Sequence, residues 1–408
     1  MGFRKVYIPL RKNLKVNISK MAQMASNNGL KTFILSLLAF VFTTTLWANP
    51  EAEGEQHAED KPFNVNEMIM HHVKDAHEWH LWGPEHGGTS IYLPIILMDG
   101  GMKIFSSSNF YHGTTGYATI GADNEQVTYM MGEGKAEGYA LYHEKIYKLE
   151  NGELHFEDGH PHNAKPMSFS ITKNVVSLFM TALIVLLIMF AVAKYFKKNG
   201  AVAPKGIAKF IEPLILFVRD DIAKENIGEK KHMKYVPLLL TIFFFILTAN
   251  LLGSIPLIGA NLTGNITVTL FLALVTFIVT VFSGNKNYWG HIFWMPGVPV
   301  AMKFFMAPIE LIGILTKPFA LMIRLFANIT AGHIIVLALI SIIFINKSTS
   351  WAALSVPMTL FISVLELLVA FLQAYLFAML SALFIGAAVE EGHHDDHGHE
   401  EHEEIVII

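Results

Sequence analysis

Cysteine is absent from the 408-residue chain, which excludes disulfides, thiol catalysis and thiolate metal sites. Charge is also scarce, because Asp, Glu, Lys and Arg make up only 16% of the residues, against roughly 25% in an ordinary soluble domain. The sequence has no internal repeat and no nucleotide-binding motif, so we expect no phosphoryl chemistry and no cofactor. Apolar residues, in contrast, make up 52%, with 30 Phe and 19 Met. This composition is typical of a membrane protein.

Residues 1–48 predict an export signal. Basic residues extend to Lys31, an apolar run covers residues 32–47, and Ala48 precedes an acidic polar stretch. A basic flank, a short apolar core and a small residue at the end are the parts of a secretory signal. Translation could also start at Met21 or Met24, and the alternative interpretation is a first transmembrane anchor.

Residues 49–168 predict a small extracytoplasmic domain, rich in His and acidic residues, with some β structure. Glycines such as those at 87–88 and 100–101 separate short β-branched and aromatic runs, the pattern of strands joined by turns. Eleven of the chain's 19 histidines lie here. His77 and His80 could share one face of a helix and bind a metal, but solvated histidines are the simpler interpretation.

Residues 169–390 predict the membrane domain. Apolar runs indicate five spans, at about 174–193, 235–255, 265–284, 304–346 and 351–389. The last two exceed 50 Å at about 1.5 Å per residue, so they must tilt, bend or extend beyond the bilayer. Residues 206–225 have helical apolar spacing and charges elsewhere, which predicts an amphipathic helix on the membrane face or against a partner.

Lysines set the orientation of these spans. Four of them, between Lys194 and Lys205, directly follow the first span, and positive charge concentrates on the cytoplasmic side. The preceding domain is then outside and the C-terminus inside. We therefore predict an all-α polytopic membrane protein with an amphipathic interfacial helix, in which the last two spans are long, tilted and antiparallel. The His-rich acidic tail, 391–408, is interpreted as solvated rather than as a weak metal site.

Ionisable residues inside the last two spans indicate an ion pathway. Arg324 lies in an apolar stretch, and a permanent cation near mid-membrane costs roughly 2.5–3.5 kcal/mol unless it faces protein or water. Lys317, Arg324 and Asn328 are spaced by seven and four residues, so they share a helical face. Glu310 falls within about 40° of that face, and His333 is roughly 180° away and ~13 Å further outward.

The antiparallel last span supplies the other half of this set. Glu366 and Gln373 are seven residues apart and share a face. If Gln373 lies at the depth of Arg324, then Glu366 lies ~10 Å outward, within about 3 Å of the depth of His333. These positions predict two offset polar routes, one outward past His333 and Glu366 and one cytoplasmic past Glu310. Polar groups that merely pair helices would explain one pair but explain the whole set poorly.

The block from Leu315 to His333, LTKPFALMIRLFANITAGH, resembles the signature of subunit a of the F-type ATP synthase. Four further blocks agree with the family in order, EPLILFVRD, PLLLTIFFFILTANLLGSIP, NLTGNITVTLFLAL and LQAYLF. Together they extend over about 170–390. Some bacterial relatives carry Glu at the position of His333 and His at that of Glu366, and the exchange found here keeps one acid and one imidazole.

This resemblance implies a proton-translocating, non-catalytic subunit of the bacterial inner membrane. It implies that Arg324 faces a ring of c subunits with Gln373 beside it and Asn328 and Lys317 nearby, and that the b subunits of the peripheral stalk and the remaining F0F1 subunits are partners. No nucleic-acid partner is expected. The choice between proton and sodium is set largely by the c-subunit site.

Two other functions remain as alternatives. A self-contained secondary transporter, with metal as a candidate substrate because of the many histidines, would show two related halves, and five mature spans divide poorly into two. A structural anchor for an exported domain would leave the intramembrane ionisable residues unexplained. Purification distinguishes these functions, because only the interpretation as subunit a predicts a stable complex with a c-ring.

Overall fold

The computed structural model describes residues 74–390 except 83–88, 121–124, 158–159, 201, 256–260, 296–298 and 347–348. The predicted export signal, His71 and His72, and the His-rich tail lie outside the described residues. Within them, a β-rich part precedes a helical part, as the sequence predicted.

The β-rich part, residues 74–168, is called the β domain below. A four-stranded antiparallel sheet has the order β5-β6-β7-β8, a three-stranded sheet has the order β11-β3-β4, and two strand pairs are β1-β2 and β9-β10. The strands are β1 Glu78–Trp82, β2 Thr89–Tyr92, β3 Pro94–Met98, β4 Met102–Ser106, β5 Thr115–Ile120, β6 Glu125–Met131, β7 Tyr139–Tyr142, β8 Lys145–Lys148, β9 Phe156–Glu157, β10 His160–Pro161 and β11 Met167–Ser168. A short helix, α1 (Ser108–Tyr111), follows β4.

Alternation along β3 and β4 builds the core of the β domain. Ile95 and Leu97 are fully buried and Phe105 is nearly so, and they pack with Phe110 and Tyr139. Successive side chains of a strand point to opposite faces, so the neighbouring positions of both strands lie on the other, exposed face of this sheet.

His77 and His80 do not share a helix face, which the sequence had left as a possibility. His80 lies in β1, which begins at Glu78, and His77 directly precedes that strand. The side chain of His77 is also buried rather than solvated, because Leu93 and β1 cover this edge through a backbone bond from the Leu93 N–H to the His77 carbonyl. Among the described residues, no group of three or more His, Asp and Glu side chains could hold a metal ion.

Among the described residues, five helices are long and apolar enough to cross a membrane, which confirms the predicted fold class. The helices after the β domain are α2 Lys173–Asn199, α3 Ile207–Phe217, α4 Glu225–Ile227, α5 His232–Gly253, α6 Ile266–Ser283, α7 Lys286–Phe293, α8 Val300–Ile345 and α9 Ala352–Val389. The five that fit a span are α2, α5, α6, α8 and α9. At about 1.5 Å per residue, α8 and α9 are roughly 69 and 57 Å long, far more than a ~30 Å hydrocarbon core.

The amphipathic segment differs from the single helix predicted. A π-helical stretch, Val218–Lys224, separates α3 from α4. Val218, Ile222 and Ala223 are fully buried against the helical core, while Phe210 in α3 is exposed. The wider π turn rotates the apolar side chains, so the second half of the segment packs on the other helices.

Small residues let α9 approach its neighbours closely. Ala370, Ala374, Ala378 and Ala382 are all fully buried and recur every four residues, so they form one stripe along the helix. Gly386 continues this stripe, and a Cβ there would collide with the backbone carbonyl of Asn226 in α4. Close backbone packing of this kind is the usual way that membrane helices associate.

Helix α7 was not predicted, because it lies between the apolar runs that indicated the spans at 265–284 and 304–346. The Asn285 N–H donates to the Ala388 carbonyl at 2.9 Å, and the Asn285 side chain donates to the Val389 carbonyl at 2.8 Å. The Lys231 ammonium also donates to the Val389 carbonyl. These donors satisfy the last carbonyls of α9 and hold the start of α7 against it.

The β domain is joined to α2 by backbone and side-chain hydrogen bonds. The Asp75 carboxylate accepts from the Thr172 hydroxyl at 2.9 Å and from the Asn174 N–H at 3.0 Å. It therefore acts as an N-terminal cap supplied from outside the helix. The Lys173 N–H donates to the Ala76 carbonyl, so the first turn of α2 is fixed to the segment before β1.

Candidate functional site

The two longest helices form an antiparallel pair that positions the ionisable residues. Three contacts mark its length, Ser355 with Leu339, His333 with Glu366, and Lys317 with Phe384. As the residue number rises along α8 it falls along α9, which confirms the predicted antiparallel arrangement. Helix α6 packs on α8, and α5 packs on α9.

His333 and Glu366 meet inside this pair. The His333 Nδ1 and Glu366 Oε1 atoms are 3.4 Å apart, and the two side chains are 18% and 9% exposed. The sequence predicted a similar depth for the two residues, but not a contact between them. A carboxylate and an imidazole at this distance can hold one proton between them, and both groups can release it.

Uncharged polar groups lie about one helical turn from the His333–Glu366 pair on the same helices. Asn250 of α5 donates from its side-chain amide to the Ala370 carbonyl of α9 at 3.3 Å and accepts from the Thr263 hydroxyl at 2.6 Å. The next residue in that loop, Gly264, accepts from the Thr330 hydroxyl at 3.5 Å. Sequence analysis assigned Asn250 no role. A lone Asn in a charge-free span was the signal that could have identified it.

Arg324 lies on the exposed face of α8. Its side chain is exposed, as is that of Asn328 one turn later, and among the described residues none forms a hydrogen bond or ion pair with the guanidinium. The exposed neighbours on this face include Ala320, Ala327 and Ala331. A face of alanines around one arginine lets another helix come close to the guanidinium.

Gln373 and Lys317 face protein more than Arg324 does. Gln373 is only 3% exposed and lies next to the alanine stripe of α9, and no hydrogen bond joins it to Arg324. The Lys317 ammonium lies 5.3 Å from the centre of the Phe384 ring. Lys317 also lines a small apolar gap between α6, α8 and α9, so it is half-buried at the helix junction.

Glu310 lies near the start of α8, beside α7. It is half-buried, and its charge contributes to the environment of Tyr288. Burial, followed by the Glu310 carboxylate, raises the pKa of the Tyr288 phenol above its ordinary value. The Tyr288 hydroxyl is buried with no hydrogen-bond partner among the described residues. Sequence analysis did not single out this tyrosine, since α7 itself was not predicted.

A separate group of ionisable residues lies at the base of the β domain. The Glu144 carboxylate accepts from the His77 N–H and from the Tyr111 hydroxyl, both at 3.3 Å. Burial, and then the charge of Glu144, raises the pKa of Tyr111. His77 and Glu144 line a cleft of about 600 Å³ that also reaches Thr172. They hold the β7–β8 hairpin onto the segment that caps α2.

The fold and this site define a polytopic helical membrane protein with an ion pathway, because a His–Glu pair and an unpaired arginine lie within its two longest spans. Residues 175–386 match the family model of the ATP synthase A chain. The chain belongs to this family. Residues 68–169 match a family described as a domain of unknown function.

Curated relatives agree with this assignment. The chain is 46% identical to ATP synthase subunit a of Chloroherpeton thalassium over 267 residues, which cover 61% of this chain and 78% of the relative. It is 50% identical to ATP synthase subunit a 2 of Chlorobaculum tepidum over 258 residues, 61% of this chain and 70% of the relative. For ATP synthase subunit a of Myxococcus xanthus the identity is 46% over 241 residues, 57% and 78% of the two chains. The predicted family is therefore confirmed.

Proposed function

We propose that this chain is the proton-translocating subunit a of an F-type ATP synthase and provides two offset half-channels to the carboxylates of a c-subunit ring. The observation that carries the proposal is the contrast between two sites in α8. The His333–Glu366 pair is enclosed within the chain, whereas Arg324 is exposed and unpaired among the described residues. The first arrangement suits proton transfer, and the second requires a partner.

The outward route passes His333 and Glu366. A proton that reaches this pair is handed to a carboxylate of a c subunit, which becomes neutral. Burying a neutral carboxyl group in lipid is far cheaper than burying a charged one, so the ring can turn that subunit into the bilayer. Each charge moved through 100 mV supplies about 2.3 kcal/mol to drive the rotation.

The cytoplasmic route passes Glu310. After rotation the c-subunit carboxyl group loses its proton there and returns as an anion to Arg324. The guanidinium cannot release its own proton, so its role is to attract the carboxylate and to block direct leakage between the routes. Gln373, Asn328 and Lys317 are proposed to position groups around this contact.

The orientation and the partners belong to the same proposal. The β domain lies outside the cytoplasm and the C-terminus inside, in a bacterial cytoplasmic membrane. The proposed division of the chain is a signal at 1–48, an extracytoplasmic domain at 49–168, a membrane domain at 169–390 and a cytoplasmic tail at 391–408. The c-ring covers the Arg324 face, the b subunits and other F0F1 subunits complete the complex, and this chain itself carries out no catalysis.

ATP-driven proton pumping in inverted membrane vesicles tests the proposal. Arg324→Ala is expected to abolish pumping while the subunit remains in the complex, because the attraction to the c-subunit carboxylate is lost. Lys303→Ala is the matched control. The Lys303 ammonium lies near the start of α8, 4.4 Å from the centre of the Trp294 ring, and pumping should persist without it. Coupled pumping retained by Arg324→Ala would refute the proposed mechanism.

A further inference from the structure

The outer face of the sheet β11-β3-β4 is an uninterrupted apolar surface. Met167 pairs with Met98, and Met98 pairs with Met102, so three methionines form one row across the strands. Ile96 pairs with Ile104, and the Phe169 N–H donates to the Ile96 carbonyl, which gives a second parallel row. These six side chains are called the apolar sheet face.

This face is exposed in the chain. Met98, Met102, Ile104, Met167 and Phe169 are between 49 and 65% exposed. The only charged residue within β4, Lys103, alternates to the opposite face and donates to the Tyr139 hydroxyl at 3.1 Å. Contiguous exposed apolar surface without charge marks a site of contact with protein or membrane.

The connection to α2 decides between these two kinds of contact. Only residues 169–172 separate β11 from α2, and four residues extend at most about 14 Å. Two of them stay paired with β3, through the bonds from Phe169 to Ile96 and from Ile171 to Pro94. The sheet therefore continues to the first turn of α2 and cannot swing away from it.

The first turn of α2 lies at the membrane boundary. Residues 174–193 carry no charge and are about 30 Å long as a helix, the thickness of the hydrocarbon core. The headgroup region begins where α2 begins, and Phe169 and Met167 of the apolar sheet face lie four and six residues before Lys173, its first residue. Phe179 and Leu183 on α2 itself are also exposed.

We propose that the apolar sheet face lies in the lipid headgroup–acyl boundary of the leaflet from which α2 enters the membrane. Its three methionines are unbranched and adaptable, which suits a fluid and irregular surface better than a fixed protein partner. The sheet thus anchors the β domain flat on the bilayer and holds the outer ends of the helices below it.

The absence of cysteine allows a direct test with spin labels. Met102→Cys and Met167→Cys, on two different strands, each place one nitroxide on the face. Tyr117→Cys is the matched control, because Tyr117 is 67% exposed but lies in β5 of the other sheet. The full chain is reconstituted in vesicles of phosphatidylethanolamine and phosphatidylglycerol, and power saturation measures collisions with oxygen, which partitions into lipid, and with a water-soluble nickel chelate.

Labels at 102 and 167 are expected to show an oxygen-to-nickel collision ratio several-fold higher than the label at 117. A ratio equal to that at 117 would mean that the face is in water, and the proposal would be wrong. Protection from both reagents would also overturn it, since a second copy of the chain would then cover the face instead of lipid.

Discussion

Neutralising His333 and Glu366 one at a time and together tests whether they act as one unit. His333→Gln and Glu366→Gln remove each titratable group and keep a side chain of similar size. Because the two atoms are 3.4 Å apart, we expect the double variant to pump about as slowly as the slower single variant. Independent residues would instead give effects that multiply.

The distance sets the size of the expected coupling. Unit charges 3.4 Å apart attract by about 5 kcal/mol at an effective dielectric constant of ~20. Desolvation of both groups opposes this attraction, and contacting residues usually couple by about 0.5–3 kcal/mol. A coupling of about 1.5 kcal/mol is roughly tenfold in rate. The double variant should therefore pump about ten times faster than the product of the single effects predicts.

The assay is ATP-driven proton pumping in inverted vesicles, normalised to the amount of subunit in the membrane. The exchanged variant, His333→Glu with Glu366→His, keeps one acid and one imidazole and should pump faster than either single variant. Ser363→Ala is the control in α9, because the Ser363 hydroxyl donates only to the Thr359 carbonyl of its own helix. Single effects that multiply, together with an inactive exchanged variant, would refute the paired role.

Three further predictions concern packing and capping. Gly386→Ala should destabilise helix packing by about 1–3 kcal/mol and lower the amount of assembled subunit, because the added Cβ meets the Asn226 carbonyl. Gly313→Ala, whose Cβ meets nothing within 4 Å, should be tolerated. Equal amounts of the two variants on an immunoblot would contradict this prediction. Asp75→Ala should destabilise the start of α2 by about 1 kcal/mol, because it removes the cap. Hydrogen exchange in the first turn of α2 should then be faster, and unchanged exchange would contradict the capping role of Asp75. Tyr288→Phe should not lower the melting temperature of the complex, since its hydroxyl has no partner among the described residues; a clear fall would reveal one.

Sequence reasoning succeeded where one physical constraint dominates. A membrane span must be a continuous and mainly apolar helix, so apolar runs located all five spans, although α2 continues to Asn199, beyond its predicted end. The rise per residue of a helix then sufficed to compare the depths of His333 and Glu366, which the structure finds 3.4 Å apart. The depth comparison needed one assumption about packing, that Gln373 lies at the depth of Arg324.

Sequence reasoning failed where packing decides the local conformation. The π turn at Val218–Lys224 arises because Ile222 and Ala223 must face the helical core, which periodicity alone does not reveal. Helix α7 begins where Asn285 binds the end of α9, more than a hundred residues away in sequence. His77 was misread because two histidines spaced by three fit a helix as well as the edge of a strand.

The positions of the ionisable residues separate what the chain supplies alone from what a partner must complete. The His333–Glu366 pair is enclosed by α8 and α9, and the neighbouring Asn250 and Thr263 satisfy each other. Arg324 has no such arrangement, and an unpaired guanidinium facing lipid costs roughly 2.5–3.5 kcal/mol. The alanines around it leave room for a carboxylate-bearing helix to approach. The exposed arginine is therefore the observation that best supports the proposed contact with a c-ring, because an anion brought by a partner would remove that cost.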